Sequence, residues 1–303
     1  MGRGAPQAMT KLRYEVVAIF GPTASGKSAV AQRLAARLDT EVVSADALQV
    51  YRGLPILTNQ PTEPTRLVAI RNPTETMSAG EFAELAHAAI DAVVAARGAV
   101  VVAGGTGLYL RAALADLDIP PAVAPARRRE LEQLYDADPT VAYERLRVLD
   151  PVSAGAIHVN DRRRVVRALE LVETDSSLSP ATNRLWSEDV RRPTLVVGLD
   201  VPPSELERRI VARTEEMVSR GVLDEVRAAM REPLSPTAEK ALGLRELATL
   251  SVEVARDRIV ERTRRYAAYQ RKWMRRIPGI VMIDADRAPE QVVDAILDVA
   301  RAR

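Results

Sequence analysis

The sequence predicts an α/β protein, a parallel sheet flanked by helices and interrupted by a smaller all-helical insertion. Three observations predict it. A β-rich apolar run, "YEVVAIF", leads straight into a glycine loop, and "SAVAQRLAARL" follows with helical spacing. Two further buried-type strands, "TEVVSAD" and "AVVVAGGTG", alternate with the helix "AGEFAELAHAAIDAVVAARG", which Gly98 closes. From about residue 117 the strand pattern disappears until "PTLVVGLD" at 193–200. These breaks give a first core segment at 11–116, a helical insertion at 117–188 and a second core segment at 189–303.

The first loop reads Gly21, Pro22, Thr23, Ala24, Ser25, Gly26, Lys27, Ser28, which fits G-x-x-x-x-G-K-[ST]. Its glycines let backbone N–H groups close around phosphate oxygens, Lys27 adds a point charge and Ser28 is placed to ligate Mg²⁺. The following helix directs its positive end at the anion. Strand before and helix after make this a P-loop NTPase-like fold. Most chains with this loop split ATP or GTP, and the residues around it decide whether this one does. A phosphate-loop NTPase carries a magnesium-holding acid at the end of another strand. Here the third strand ends "VVVAGGTGLY", without one. The acid at such a position is Asp46, after the second strand, where sheet topology sets it beside the loop as a magnesium helper, a base or a strand-end cap. "GGTGLYL" makes a second glycine turn in which Thr106 offers a hydroxyl and the glycines allow close approach of a ligand, or simply a tight strand-to-helix turn.

The insertion reads as Pro-rich chain and then short helices: "ARRRELEQLYD", "PTVAYERLRVLD", "PVSAGAIHVN" and "DRRRVVRALELVE", with "TDSSLSPATN" as a loop. In the second core segment a helix starts at "PPSELERR" and ends at Gly221. Two more helical stretches, the strand "GIVMIDAD" and an amphipathic helix close the chain. The opening "MGRGAPQAMT" has no apolar stretch for a signal peptide and reads as a tail with the start at Met9. No apolar run is long enough to span a membrane.

The chain has 303 residues, 47% hydrophobic and only 4% aromatic, so its packing rests on Ala, Val, Leu and Ile. It has no cysteine, which excludes disulfides, Cys-ligated zinc and a Cys nucleophile, and fits a cytoplasmic protein. A net charge of +2 is too mild to diagnose nucleic-acid binding. Clustering says more. Arg162, Arg163, Arg164 and Arg167 share one short helix. In "RTRRYAAYQRKWMRR", at about 100° per residue, Arg264, Arg265, Arg271, Lys272, Arg275 and Arg276 fall on one side, and Tyr266, Trp273, Met274 and Ile277 on the other. A basic face on a packed helix suits a phosphate backbone, or is a solvated face paired with Glu and Asp. His87 and His158 carry no motif.

In their order, "GPTASGKS", "VVSADALQVYRGL", "GGTGLYLRAAL", "IHVNDRRRVVRALE", "SPTAEKALGLREL" and "RTRRYAAYQRKWMRR" resemble the bacterial tRNA dimethylallyltransferases over roughly residues 16–284. The resemblance implies transfer of a dimethylallyl group from dimethylallyl diphosphate to the exocyclic N6 amine of the adenosine 3′ of the anticodon, with Mg²⁺ as cofactor. It implies a monomer with the tRNA anticodon stem-loop as partner and no membrane partner. It makes Asp46 the general base, and Thr23 and Arg213 catalytic partners of the leaving diphosphate, held on Gly21 to Ser28 with magnesium on Ser28. It places Asp46, Ala47, Leu48, Gln49, Thr106, Arg163, Arg164, Val165, Val166 and Arg167 against tRNA. One departure stands out: Arg66 and Leu67 occupy the place where family members carry His-His-Leu after a longer loop. Three other readings share parts of this pattern: an isopentenyltransferase of free adenine nucleotides, a phosphate-loop kinase, and an RNA-binding paralogue without catalysis.

Overall fold

In the computed structural model of the chain, residues 13–117, 119, 124–173, 176–178 and 184–302 are described. The opening segment read as a tail and most of "TDSSLSPATN" lie outside these residues. The chain divides into two compact units, one of residues 1–116 with 188–303 and one of residues 117–187.

The first unit is built on a parallel sheet. Its elements begin with β1 (Val16–Phe20), α1 (Lys27–Arg37), β2 (Val42–Ser44), β3 (Thr65–Arg66), α2 (Ala79–Arg97), β4 (Val100–Gly104) and α3 (Gly107–Leu114). The second unit holds α4 (Pro125–Ala137), α5 (Pro139–Leu149), α6 (Pro151–Ala156) and α7 (Arg162–Val172). The first unit then resumes with β5 (Thr194–Asp200), α8 (Pro203–Ser219), α9 (Val222–Ala229), α10 (Leu244–Thr249), α11 (Val252–Met274), β6 (Val281–Asp284) and α12 (Pro289–Ala302). Three helices therefore lie between α8 and β6, one more than the sequence pattern resolves, because the short α10 follows a Gly243 turn with φ +97°.

The strand order is β3-β2-β4-β1-β5-β6 and every pairing is parallel. The first three crossovers lie on one side of β1 and the chain returns on the other side at β5. The order thus reverses at β1, and a crevice opens at its carboxyl end, where the phosphate loop begins. All five residues of β1 are buried, as a central parallel strand with helices on both faces requires. Alternate side chains feed two cores: Val16, Ala18 and Phe20 one, Val17 and Ile19 the other. Each buried Val, Ile or Phe among them contributes about 1.5–3 kcal/mol, which makes the root of the loop rigid. The edge strand β3 has two residues, too short for periodicity to reveal.

In the second unit, local chemistry starts α5, α6 and α7. Asp138 caps α5 by accepting the Thr140 and Val141 N–H groups at 2.8 and 3.2 Å, and Pro139 takes the first helical position. Asp150 and Pro151 repeat the arrangement at α6, and Asp161 caps α7 through the Arg164 N–H at 3.1 Å. The core gathers Leu131, Leu146, Val165, Val166 and Leu169. Among the described residues, no helix is long and apolar enough to cross a membrane.

Candidate active site

The phosphate loop leaves β1 at Gly21 and enters α1 through Gly26, whose φ of +86° suits only glycine without strain. Ala24 also takes a left-handed φ, of 62°. Lys27 turns back over the loop and donates to the Pro22 carbonyl at 2.7 Å. Burial pulls its pKa down to about 8, against the raising charge of Asp46, while Arg213 lowers it further. Ser28 follows in the first turn of α1.

Thr23 is fixed at two points. Its N–H donates to Gln270 Oε1 at 2.7 Å, and its Oγ1 accepts from Arg213 Nη1 at 2.7 Å. Arg213, on α8, keeps a buried Nε without a hydrogen-bond partner. Burial lowers its pKa, and Asp46 opposes that. A buried N–H left unpaired costs about 1–3 kcal/mol, and an anion on the loop would satisfy it. Lys27, Arg213 and Asp46 therefore share one electrostatic site, as the sheet topology requires.

Asp46 lies two residues beyond β2. Its Oδ1 accepts the Leu48 N–H at 2.9 Å, which orients the carboxylate and leaves Oδ2 for another donor. The Ala47 N–H reaches Thr106 Oγ1 at 3.4 Å, so the Asp46 segment and the glycine turn after β4 are neighbours. Tyr266, on α11, lies beside Thr106 and Gln270 and feels the charge of Asp46. Burial raises its pKa, so the phenol stays protonated.

The second glycine turn differs from expectation. A Cβ on Gly105 would overlap the Gln270 amide, and one on Gly107 would overlap the Trp273 ring. The space beside these glycines is filled by α11 and is not open to a ligand. Ala47 and Leu48 pack against the core, and both ends of the Gln49 amide are engaged. Its Oε1 accepts from Ser44 at 2.9 Å and its Nε2 donates to the Asn59 carbonyl at 2.8 Å. Of these four residues, Asp46 alone offers an unused polar side-chain atom.

Within the second unit, Val165 and Val166 are buried at 0% and 1% exposure, so their side chains build its core and present no surface to RNA. Arg167 is paired with the buried Glu170 at 2.8 Å, and Arg162 with Asp136 at 2.6 Å. Arg163 and Arg164 are exposed, Arg164 with Asp161 at 3.6 Å. On α11, Arg264 pairs with Glu207, Arg265 with Glu261 and Arg271 with Asp200, while Lys272 and the C-cap Arg275 are exposed. At least half of the basic face is thus paired.

The IPP transferase family model matches residues 49–277. A tRNA dimethylallyltransferase of Anaeromyxobacter dehalogenans is 42% identical over 293 residues, 91% of this chain and 96% of that protein. The chain belongs to the IPP transferase family. Another relative, the tRNA dimethylallyltransferase of Salinispora tropica, is 38% identical over 283 residues, 89% of this chain and 88% of its own length. Among solved structures, the full-length tRNA isopentenylpyrophosphate transferase of Bacillus halodurans matches with a TM-score of 0.67 and 29% identity, covering 95% of this chain and 96% of that one. A eukaryotic dimethylallyltransferase described as acting on tRNA matches with a TM-score of 0.77 and 26% identity, covering 95% of this chain and 80% of that one.

Arg66 lies on the edge strand and grips Glu41 with two hydrogen bonds, at 2.8 and 3.1 Å. Leu67 takes a left-handed φ of 65° and packs on the core. Thr65 and Arg66 thus close one edge of the sheet. Gln270 and Tyr266 are the site residues that sequence reasoning missed. The signal was available for Gln270: it lies on the buried stripe Thr263, Ala267, Gln270, Met274, and a polar residue on such a stripe needs a partner.

Proposed function

We propose that this protein transfers a dimethylallyl group from dimethylallyl diphosphate to the exocyclic N6 amine of the adenosine 3′-adjacent to the anticodon of tRNA, releasing diphosphate. One observation carries the reading. A phosphate loop with two half-buried cations, Lys27 and Arg213, is electrostatically joined to Asp46, while β4, beside the loop's own strand, ends in "GGTG" with no acid. That arrangement suits a diphosphate that departs intact better than a phosphoryl group under attack by water.

The N6 lone pair forms a bond to the first carbon of the allyl group, and the carbon–oxygen bond breaks with its electron pair going to diphosphate. Lys27 and Arg213 meet the charge that develops on the leaving oxygen. Thr23 Oγ1, already oriented by Arg213, stands beside the same group. The nitrogen turns cationic as the bond forms, and Asp46 Oδ2 accepts its proton. The target base must leave its stack to reach this crevice.

The donor set fits magnesium carried by the substrate: Ser28 offers a hard hydroxyl oxygen, and Mg²⁺ takes its other ligands from phosphate and water. Bound there, the ion neutralises charge on the diphosphate. Arg163 and Arg164 in the second unit, and Lys272 and Arg275 on α11, are cations placed for RNA phosphates. We take the protein to act as a cytoplasmic monomer.

The test is mass spectrometry of products after incubation with Mg²⁺, dimethylallyl diphosphate and an anticodon stem-loop bearing consecutive adenosines, with AMP and ATP in parallel. One isoprenoid unit on the RNA alone is the expected result. Product on free nucleotides alone would make the protein an adenylate isopentenyltransferase. No product, with RNA bound, would leave an inactive paralogue.

A further inference from the structure

Gln270 is 2% exposed and spans two loops that are far apart in sequence. Its Oε1 accepts the Thr23 N–H at 2.7 Å across 247 residues, and its Nε2 donates to the Gly105 carbonyl at 2.8 Å across 165 residues. Burying an amide is unfavourable unless its polar atoms are paired, and here both partners are backbone groups. The side chain therefore fixes where two pieces of main chain lie. One is the phosphate loop. The other is the turn whose next residue is Thr106, the neighbour of the Asp46 segment.

The consequence for Thr23 is specific. Its N–H points to Gln270 and is withdrawn from the donors that face a phosphate, so Thr23 meets the ligand through Oγ1, on the side where Arg213 holds it. Gly105 has no side chain because the Gln270 amide occupies that volume. Tyr266, one helical turn earlier, lies beside Thr106.

We infer that Gln270 is a positioning residue for the transfer, setting the separation between the loop that holds the leaving diphosphate and the turn that carries Thr106 beside the Asp46 segment. The catalytic part of this inference rests on the proposed function. The part that concerns diphosphate does not. Gln270 makes no bond to substrate, and its effect is geometric. A displacement of about 1 Å between reacting groups costs roughly 100-fold in rate.

Two variants test it. Gln270→Leu keeps the volume and removes both hydrogen bonds. We expect kcat to fall about 10- to 100-fold, with tRNA affinity within about twofold of wild type and the loss exceeding any unfolded fraction seen by circular dichroism. Gln270→Glu accepts from Thr23 in either protonation state, but donates to the Gly105 carbonyl only when protonated. Burial raises a carboxyl pKa, so its activity relative to wild type should recover as pH falls from about 8 to about 6. A Gln270→Leu kcat within about threefold of wild type, or a loss matched by unfolding, overturns the inference. Binding of inorganic diphosphate with Mg²⁺, measured by calorimetry, separates the two readings. If wild type binds diphosphate but transfers nothing, the functional proposal fails. The positioning role then stands on an affinity loss of about tenfold or more in Gln270→Leu, and falls if the affinities are equal. If wild type binds no diphosphate, both fail.

Discussion

Arg213 Nη1 donates to Thr23 Oγ1 at 2.7 Å, joining α8 to the phosphate loop across 190 residues of sequence. The same guanidinium has a buried Nε with nothing to bond. The contact aligns a hydroxyl and a cation on one point of the loop, and leaves one N–H in reserve. Arg213→Ala should lower kcat about 100-fold, the usual loss for removing a donor that meets developing charge. Donor KM should move much less. Single-turnover kinetics at saturating donor check this. Arg213→Lys restores the charge without the fork and should recover only part of the rate. A change confined to KM would make Arg213 a ground-state binding residue.

Lys27 sets the pH dependence of donor binding. Burial holds its pKa at about 8, with Asp46 raising it and Arg213 lowering it. The protonated amine pairs with diphosphate, so binding is linked to proton uptake once the free protein begins to lose that proton. The dissociation constant for inorganic diphosphate should be flat from about pH 7 and then rise, by up to about tenfold per pH unit, above about pH 8. Asp46→Ala removes the charge that raises the pKa, so the break should move to lower pH. Calorimetry in buffers of different ionisation enthalpy would detect the proton taken up.

How much of this was legible follows from where the information lies. The phosphate loop is contiguous and has a fixed spacing, and strand, loop and helix are local patterns. They therefore read directly from residues 16 to 37. Asp46 was legible through topology, because a parallel sheet puts the carboxyl ends of neighbouring strands at one edge. Gln270 is legible only as a polar residue on a buried stripe; its partners are not, because they are main-chain atoms 247 and 165 residues away. The glycines at 105 and 107 mark needed space, for a ligand or for a tight turn, and a sequence does not show what fills it. Arg162 to Arg167 reads as one cation cluster, yet packing divides it into paired and solvated members.

That division predicts two different phenotypes on one helix. Arg163 is exposed, so Arg163→Ala should weaken tRNA binding and flatten the slope of log K against log salt by about 0.7–0.9. The melting temperature should not move. Arg167 is 23% exposed and pairs with Glu170, which is 0% exposed. Arg167→Ala leaves that carboxylate with Arg128 at 3.1 Å alone. It should cost about 1–3 kcal/mol of stability, read as a lower urea midpoint. Equal salt slopes for wild type and Arg163→Ala would take the exposed arginine out of the interface.

Asp46 supports the last expectation. Its Oδ1 is held by the Leu48 N–H, and the carboxylate lies among Lys27, Arg213 and Tyr266. As a proton acceptor it acts only after the amine begins to attack. Asp46→Ala should therefore lower kcat by about 100- to 10,000-fold, while diphosphate affinity at pH 7 changes little. Asp46→Asn keeps the hydrogen-bond acceptor for Leu48 but takes no proton, and should be nearly as slow. Pre-steady-state transfer and diphosphate calorimetry on the same preparations separate the possibilities. Loss of Mg²⁺-dependent diphosphate binding in both variants would make Asp46 a metal ligand, and the accepting base would have to be sought elsewhere along the crevice.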